Sequence, residues 1–88
     1  MASAREEIQA AIDDYMARPY RIELIPDRDE GGFVARVPDL PGCMSQGETA
    51  DEAVEMIHDA MRGWLAVSLE HGDPVPEPRR LGNEDYSG

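Results

Sequence analysis

The 88-residue sequence predicts an α+β domain, in which helices cover one face of a small antiparallel sheet in the order α-β-β-β-α, with a candidate edge strand after the second helix. Three observations carry this reading. Two segments repeat apolar residues at helical spacing, and each opens on a Ser/Thr-x-x-Glu capping box. Three short segments between them alternate apolar and polar residues. Clusters of Gly, Pro and acids stand where turns must separate those segments.

In the first helix, Ser3 and Glu6 are spaced to satisfy free N–H groups at the helix start. Ile8, Ala11, Ile12, Tyr15 and Met16 then recur at i, i+3, i+4, i+7 and i+8, forming one apolar stripe. Pro19 stops the helix, because the residue before a proline avoids helical geometry. So short an amphipathic helix does not hold alone in water, so it must dock on a sheet, a sister helix or a partner.

Residues 20–25 read as a strand, with Tyr20, Ile22 and Leu24 alternating against Arg21 and Glu23. Residues 26–32 are turn chemistry. Asp27, Asp29 and Glu30 offer acceptors to the backbone, and Gly31 and Gly32 take positive φ. Residues 33–37 return, with Phe33, Ala35 and Val37 on one face, completing a hairpin. Pro38 and Pro41 remove ladder donors, so residues 38–42 form a stiff corner. Leu40, between those prolines, is either tucked over the core or presented outward. Residues 43–46 are a brief third strand, ended by Gly47.

Thr49 and Glu52 form the second capping box, and acids in the first turn suit the helix dipole. Ala53, Ile57, Ala60, Met61, Trp64, Leu65, Ser68 and Leu69 trace its buried stripe, with Val54 on the edge; Met56 falls off it and is an interface candidate. The helix should run over residues 50–71 to a C-cap at Gly72, about 30 Å at 1.5 Å per residue. Pro74, Pro76 and Pro78 make an extended spacer. The expected organisation is an N-terminal helix over 1–18, a core over 19–78, and a polar tail over 79–88. The tail is either disordered or adds an edge strand around Arg79, Arg80 and Leu81.

The formal net charge is −11, from 19 acidic and 8 basic residues. Such a surface repels phosphate backbones and suits a basic protein partner, although solubility alone also accounts for it. A chain of this size buries only about 60–65% of its unfolded surface, so self-association or a partner would supply burial that the core lacks. The single cysteine, Cys43, has no internal disulfide partner and fits a small buried apolar role. The N-terminus lacks the apolar core of a signal peptide, and no apolar run approaches the ~20 residues of a membrane span. A cytoplasmic location is expected.

Two acidic groups, Asp27, Asp29 and Glu30 and then Glu48, Asp51, Glu52 and Glu55, raise a carboxylate-metal nuclease as an alternative. Turn formation and dipole compensation account for both groups, and the EF-hand ligand pattern is absent. His58 and His71 have no second ligand at metal spacing, and neither a phosphate loop nor a nucleophile elbow occurs. No catalytic residue, cofactor or metal is expected. The α-β-β-β-α order also describes double-stranded RNA-binding domains, but those use a basic helix N-terminus, and here that position is acidic. Direct nucleic-acid binding is not expected.

The ordered set "YRIELI", the acidic-glycine hairpin, "VPDLPGC", "GETADEAVEMIHDAM" and "GDPVPEP" resembles the HicB-like antitoxin family over roughly residues 20–78. The resemblance implies a β-β-β-α core with a partial RNase H-like fold, commonly ending in another strand. It implies a protein that binds a small basic toxin of the HicA type, an RNA-cleaving protein with its own active-site His. The antitoxin masks that site and needs no catalytic residue. Many members add a C-terminal DNA-binding domain; this sequence stops soon after Pro78, so operator binding is not carried over. The N-terminal helix precedes the usual start and would serve oligomer contacts. Contact residues expected on exposed corners are Asp27, Asp29, Glu30, Asp39 and Leu40. Self-association as a homodimer or higher oligomer is expected. The alternatives are an orphan oligomer of regulatory or structural role without a toxin, and a vestigial metal-dependent nuclease using Asp39.

Overall fold

The computed structural model describes residues 4–79. Its elements are α1 (Ala4–Met16), β1 (Glu23–Pro26), β2 (Phe33–Arg36), β3 (Met44–Gly47) and α2 (Ala50–His71). The strands pair antiparallel in the order β1-β2-β3, giving the expected α+β arrangement. Ser3 of the first capping box and the Arg80–Leu81 part of the candidate edge strand lie outside the described residues.

The ends of α2 follow from local chemistry. The Glu52 N–H donates to Thr49 Oγ1 at 3.1 Å, while the Glu52 carboxylate accepts from the Glu48 N–H at 2.8 Å, one residue before the usual capping-box partner. At the other end Gly72 adopts φ 72°, and the N–H groups of Gly72 and Asp73 donate to Leu69 and Ser68 carbonyls at 3.2 and 2.8 Å. This is a Schellman closure, open to glycine because it has no Cβ to clash in the left-handed region.

The register sets the faces of the sheet. Leu24, Ala35 and Ser45 form one rank, and the fully buried Ala35 marks its side as the core face. Ala53, Ile57, Met61 and Leu65 of α2 fill the space above it. Burying a side chain such as Ile57 or Leu65 is worth about 1.5–3 kcal/mol. Helix α2 leaves β3 through Glu48 and Thr49, so it lies chiefly over β3 and β2. Leu24, expected inside, is 39% exposed because β1 sits at the uncovered rim. Helix α1 takes the sister-helix option: it packs on α2, with Ile12 buried and an Arg62–Asp13 ion pair at 3.0 Å.

The spacer after α2 turns back across the molecule. Val75 packs against the core, and the Tyr20 hydroxyl donates to the Pro76 carbonyl. Arg18 reaches both Glu77 carboxylate oxygens at 2.6 Å and Asp14 at 2.7 Å, with its guanidinium stacked 4.2 Å from the Tyr15 ring centre.

Candidate partner-binding site

The hairpin loop and the start of α2 meet at one end of the sheet. Phe33 pairs with Gly47, which brings residues 27–32 beside Glu48. Two glycines permit the approach. A Cβ on Gly32 would stand 2.5 Å from the Gly47 carbonyl oxygen, and Gly32 also has φ +80°. A Cβ on Gly47 would stand 2.5 Å from the Ala53 nitrogen. Any side chain at either position would force backbone apart.

An open groove of about 440 Å³ results, lined by Asp27, Glu30, Glu48 and Glu52 with Phe33 and Gln46 between them. Asp27 organises the loop. Its Oδ1 accepts the N–H groups of Asp29 and Glu30 at 3.0 and 3.2 Å, and its own N–H donates to Gly32 O at 2.9 Å. Asp29 and Glu30 stand exposed. The chemistry on offer is four acidic residues lining one groove beside a half-buried aromatic residue. It suits a lysine or arginine whose head meets the acids and whose stem lies on Phe33.

The expected contact residues divide. Asp27, Asp29 and Glu30 belong to this end. Asp39 and Leu40 lie beyond the opposite end of β2, about 17 Å away for five extended residues. Leu40 corrects the expectation outright: it is 0% exposed. Its N–H donates to Val37 O and its carbonyl accepts from Cys43, both at 3.0 Å. Two successive turns thus roll the corner inward and leave Leu40 in the core. The Asp39 side chain is only 10% exposed and is held within the chain, accepting from the Arg79 N–H at 3.0 Å with the Arg79 guanidinium at 3.5 Å. Glu48, Glu52 and Phe33 were not among the expected contacts; the hairpin register, which places Gly47 opposite Phe33, was the signal for them.

Among the described residues, no three His, Cys, Asp or Glu side chains come together as a metal-binding group. Cys43 is buried, which pushes its thiol pKa up. Burial, then the Glu77 charge, likewise raises the Tyr20 phenol. Neither is poised as a nucleophile or base.

The profile described as the HicB-like antitoxin of bacterial toxin–antitoxin systems matches residues 20–87. The chain belongs to the HicB-like antitoxin family. It is similar to a UPF0150 protein of Synechocystis, 43% identical over 47 residues that cover 53% of this chain and 64% of that one. It is also similar to Antitoxin HicB of Escherichia coli, 33% identical over 67 residues, 76% of this chain. The match spans only 48% of that antitoxin's length. The crystal structure of TTHA0281 from Thermus thermophilus superposes with a TM-score of 0.59 at 26% identity, covering 86% of each chain. Helix α1 precedes the matched stretch. The run that carries the family resemblance most visibly, residues 37–43, builds the corner: Leu40 fills the core, and the Pro41 carbonyl accepts from Trp64 Nε1 at 2.8 Å.

Proposed function

We propose that this chain is a non-catalytic antitoxin that binds and masks a small basic HicA-type RNA-cleaving toxin, using the acidic groove at the hairpin end. The observation that carries the reading is the convergence of Asp27, Glu30, Glu48 and Glu52 on one groove of a chain with net charge −11. Carboxylates there would stand in for the phosphates that such a toxin grips. The contact set is then Asp29, Glu30 and Glu48, with Asp27 and Glu52 behind them. In this reading the pair resides in the cytoplasm with the toxin's RNA substrate. The acidic surface itself gives the chain no direct nucleic-acid contact. A partial RNase H-like relationship and self-association belong to the same proposal; a small core and exposed Met44, Met56 and Val67 support the latter.

The test is titration of the full chain with a HicA-type toxin from the same genome, reading complex formation and RNA cleavage. Binding should suppress cleavage and weaken as salt rises. Replacing Asp29, Glu30 and Glu48 together by Lys should lower affinity about 100-fold or more, since close interfacial charge pairs couple by ~1.5 kcal/mol upward. Unchanged affinity would remove the groove from the interface. Absence of any complex at low salt would remove the antitoxin reading and favour a toxin-free oligomer.

A further inference from the structure

Helix α2 carries a second apolar strip that the described residues leave only partly covered, its Ala60 being half-buried against the core. Met56, Ala60, Gly63 and Val67 recur at i, i+4, i+7 and i+11, the alternating four-three spacing of a helix-pairing seam. At 100° per residue they fall within an arc of about 60°. Met56 is 46% and Val67 54% exposed, and Gly63 is exposed too. The sheet-facing stripe of Ala53, Ile57, Met61, Leu65 and Ser68 is a different face.

Gly63 is the sharpest feature. Glycine is the poorest ordinary helix former after proline, and a Cβ built there meets nothing within 4 Å. Among the described residues nothing packs where that Cβ would stand. A groove of about 370 Å³ runs beside it, walled by Gly42 and Met44 of the β3 edge and by Ala60, Trp64 and Val67. Among the described residues no charged one lines this groove, on a chain in which 31% of residues are charged.

We infer that this strip is the seam on which a second copy of the chain docks, α2 against α2, antiparallel, about a two-fold axis between residues 61 and 62. This assigns a surface to the self-association proposed above and rests on that part of the reading. The occupant follows from the order of sizes along the strip: large, small, small, large. Reversal sets Met56 against Val67 of the second copy and Ala60 against its Gly63, so the strip is its own complement, as a two-fold interface requires. The two small residues at the centre let the backbones close in. Charge points the same way. A basic partner is drawn to the carboxylate groove, whereas another acidic chain meets least repulsion over an uncharged face. The strip is about 16 Å long at 1.5 Å per residue, too short to bury the ~800 Å² per partner of a standard interface, so the dimer is weak and concentration-dependent. Glu52, Asp59 and Glu70 flank one side; in this register Glu52 comes opposite Glu70 of the second copy and Asp59 lies near its own copy, so salt strengthens this contact while it weakens toxin binding.

Sedimentation of the full chain from micromolar to millimolar concentration tests it. Wild type should dimerise, more tightly at high salt. Gly63→Glu, a substitution into open space that favours the helix, should weaken dimerisation about tenfold or more, hold or raise the melting point of the monomer and leave toxin binding intact. Mixed Ala60→Cys and Gly63→Cys chains should cross-link to each other in preference to themselves, while Cys43 stays buried. A dimer indifferent to Gly63→Glu, or one that cross-links 60 to 60, overturns this surface alone. A wild-type monomer at every concentration overturns self-association and the surface together.

Discussion

Replacing Gly32 by alanine should destabilise the protein far more than the same change at its neighbour Gly31. Both residues have nearly the same φ, +80° and +82°. The strain of a Cβ at left-handed geometry, about 1–2 kcal/mol, is thus common to both. Their surroundings differ. A Cβ on Gly31 meets nothing within 4 Å, whereas one on Gly32 would stand 2.5 Å from the Gly47 carbonyl oxygen, which is backbone and cannot swing aside. Overpacking of that kind costs about 1–3 kcal/mol. Gly31→Ala should therefore lose about 1–2 kcal/mol and Gly32→Ala about 2–5. Typical domains hold only 0.05–0.15 kcal/mol per residue, or ~4–13 kcal/mol for 88 residues, so the second variant loses a large part of its stability. Urea unfolding followed by Trp64 fluorescence and circular dichroism reads the difference, and each kcal/mol should move Tm by about 4–8 °C. Equal midpoints for the two variants would refute the reasoning. They would show that the hairpin loop yields freely against α2, and the carboxylates of the groove would then lack a fixed spacing.

Leu40→Ala should cost about 3–5 kcal/mol in the same urea assay, the range for emptying a fully buried leucine site; a loss under 1 kcal/mol would mean that the corner collapses into the gap. Tyr20→Phe removes the hydroxyl that holds the Pro76 carbonyl, and should cost about 0.5–1.5 kcal/mol while speeding protease cleavage within residues 74–79. Alkaline pH should destabilise the fold through Cys43 and Tyr20. Burial raises both pKa values, so the unfolded chain ionises first, near the ordinary values of about 8.5 and 10. Stability should be full below the thiol range and fall as pH climbs through it and then through the phenol range. Cys43→Ala should abolish the first part of that fall, measured as urea midpoint against pH.

Elements fixed by neighbouring residues were legible in the sequence. Thr49 with Glu52, and Gly72 after His71, mark the ends of α2 because caps are made within one turn. β1 and β2 were read too long, over 20–25 and 33–37 rather than Glu23–Pro26 and Phe33–Arg36, and β3 was read one residue early. Pairing of β1 with β2 begins at Glu23 opposite Arg36, since Pro38 brings no N–H to extend the ladder, yet Tyr20 still points inward beneath the returning spacer. Leu40 had two local solutions, and only closure of the corner onto α2 selects the buried one. In the site, the loop acids could be read from their turn, but the nearness of Glu48 and Glu52 depends on strand register. Asp39 was out of reach for a similar reason: the residue that occupies it, Arg79, lies 40 positions further on.

The clasp between Arg18 and Glu77 spans 59 positions, and that between Tyr20 and Pro76 spans 56. These are the longest loops that hydrogen bonds close among the described residues. The three strands and α2 form a meander of neighbours, whose short closures lose little chain entropy and form early. Helix α1 is made before α2, yet it packs on α2 and must wait for it. Until residues 74–77 arrive, Tyr20 and the apolar side of α1 have no lasting cover. Helix α1 thus waits for elements that follow it along the chain, and it is the segment most in need of protection on the ribosome.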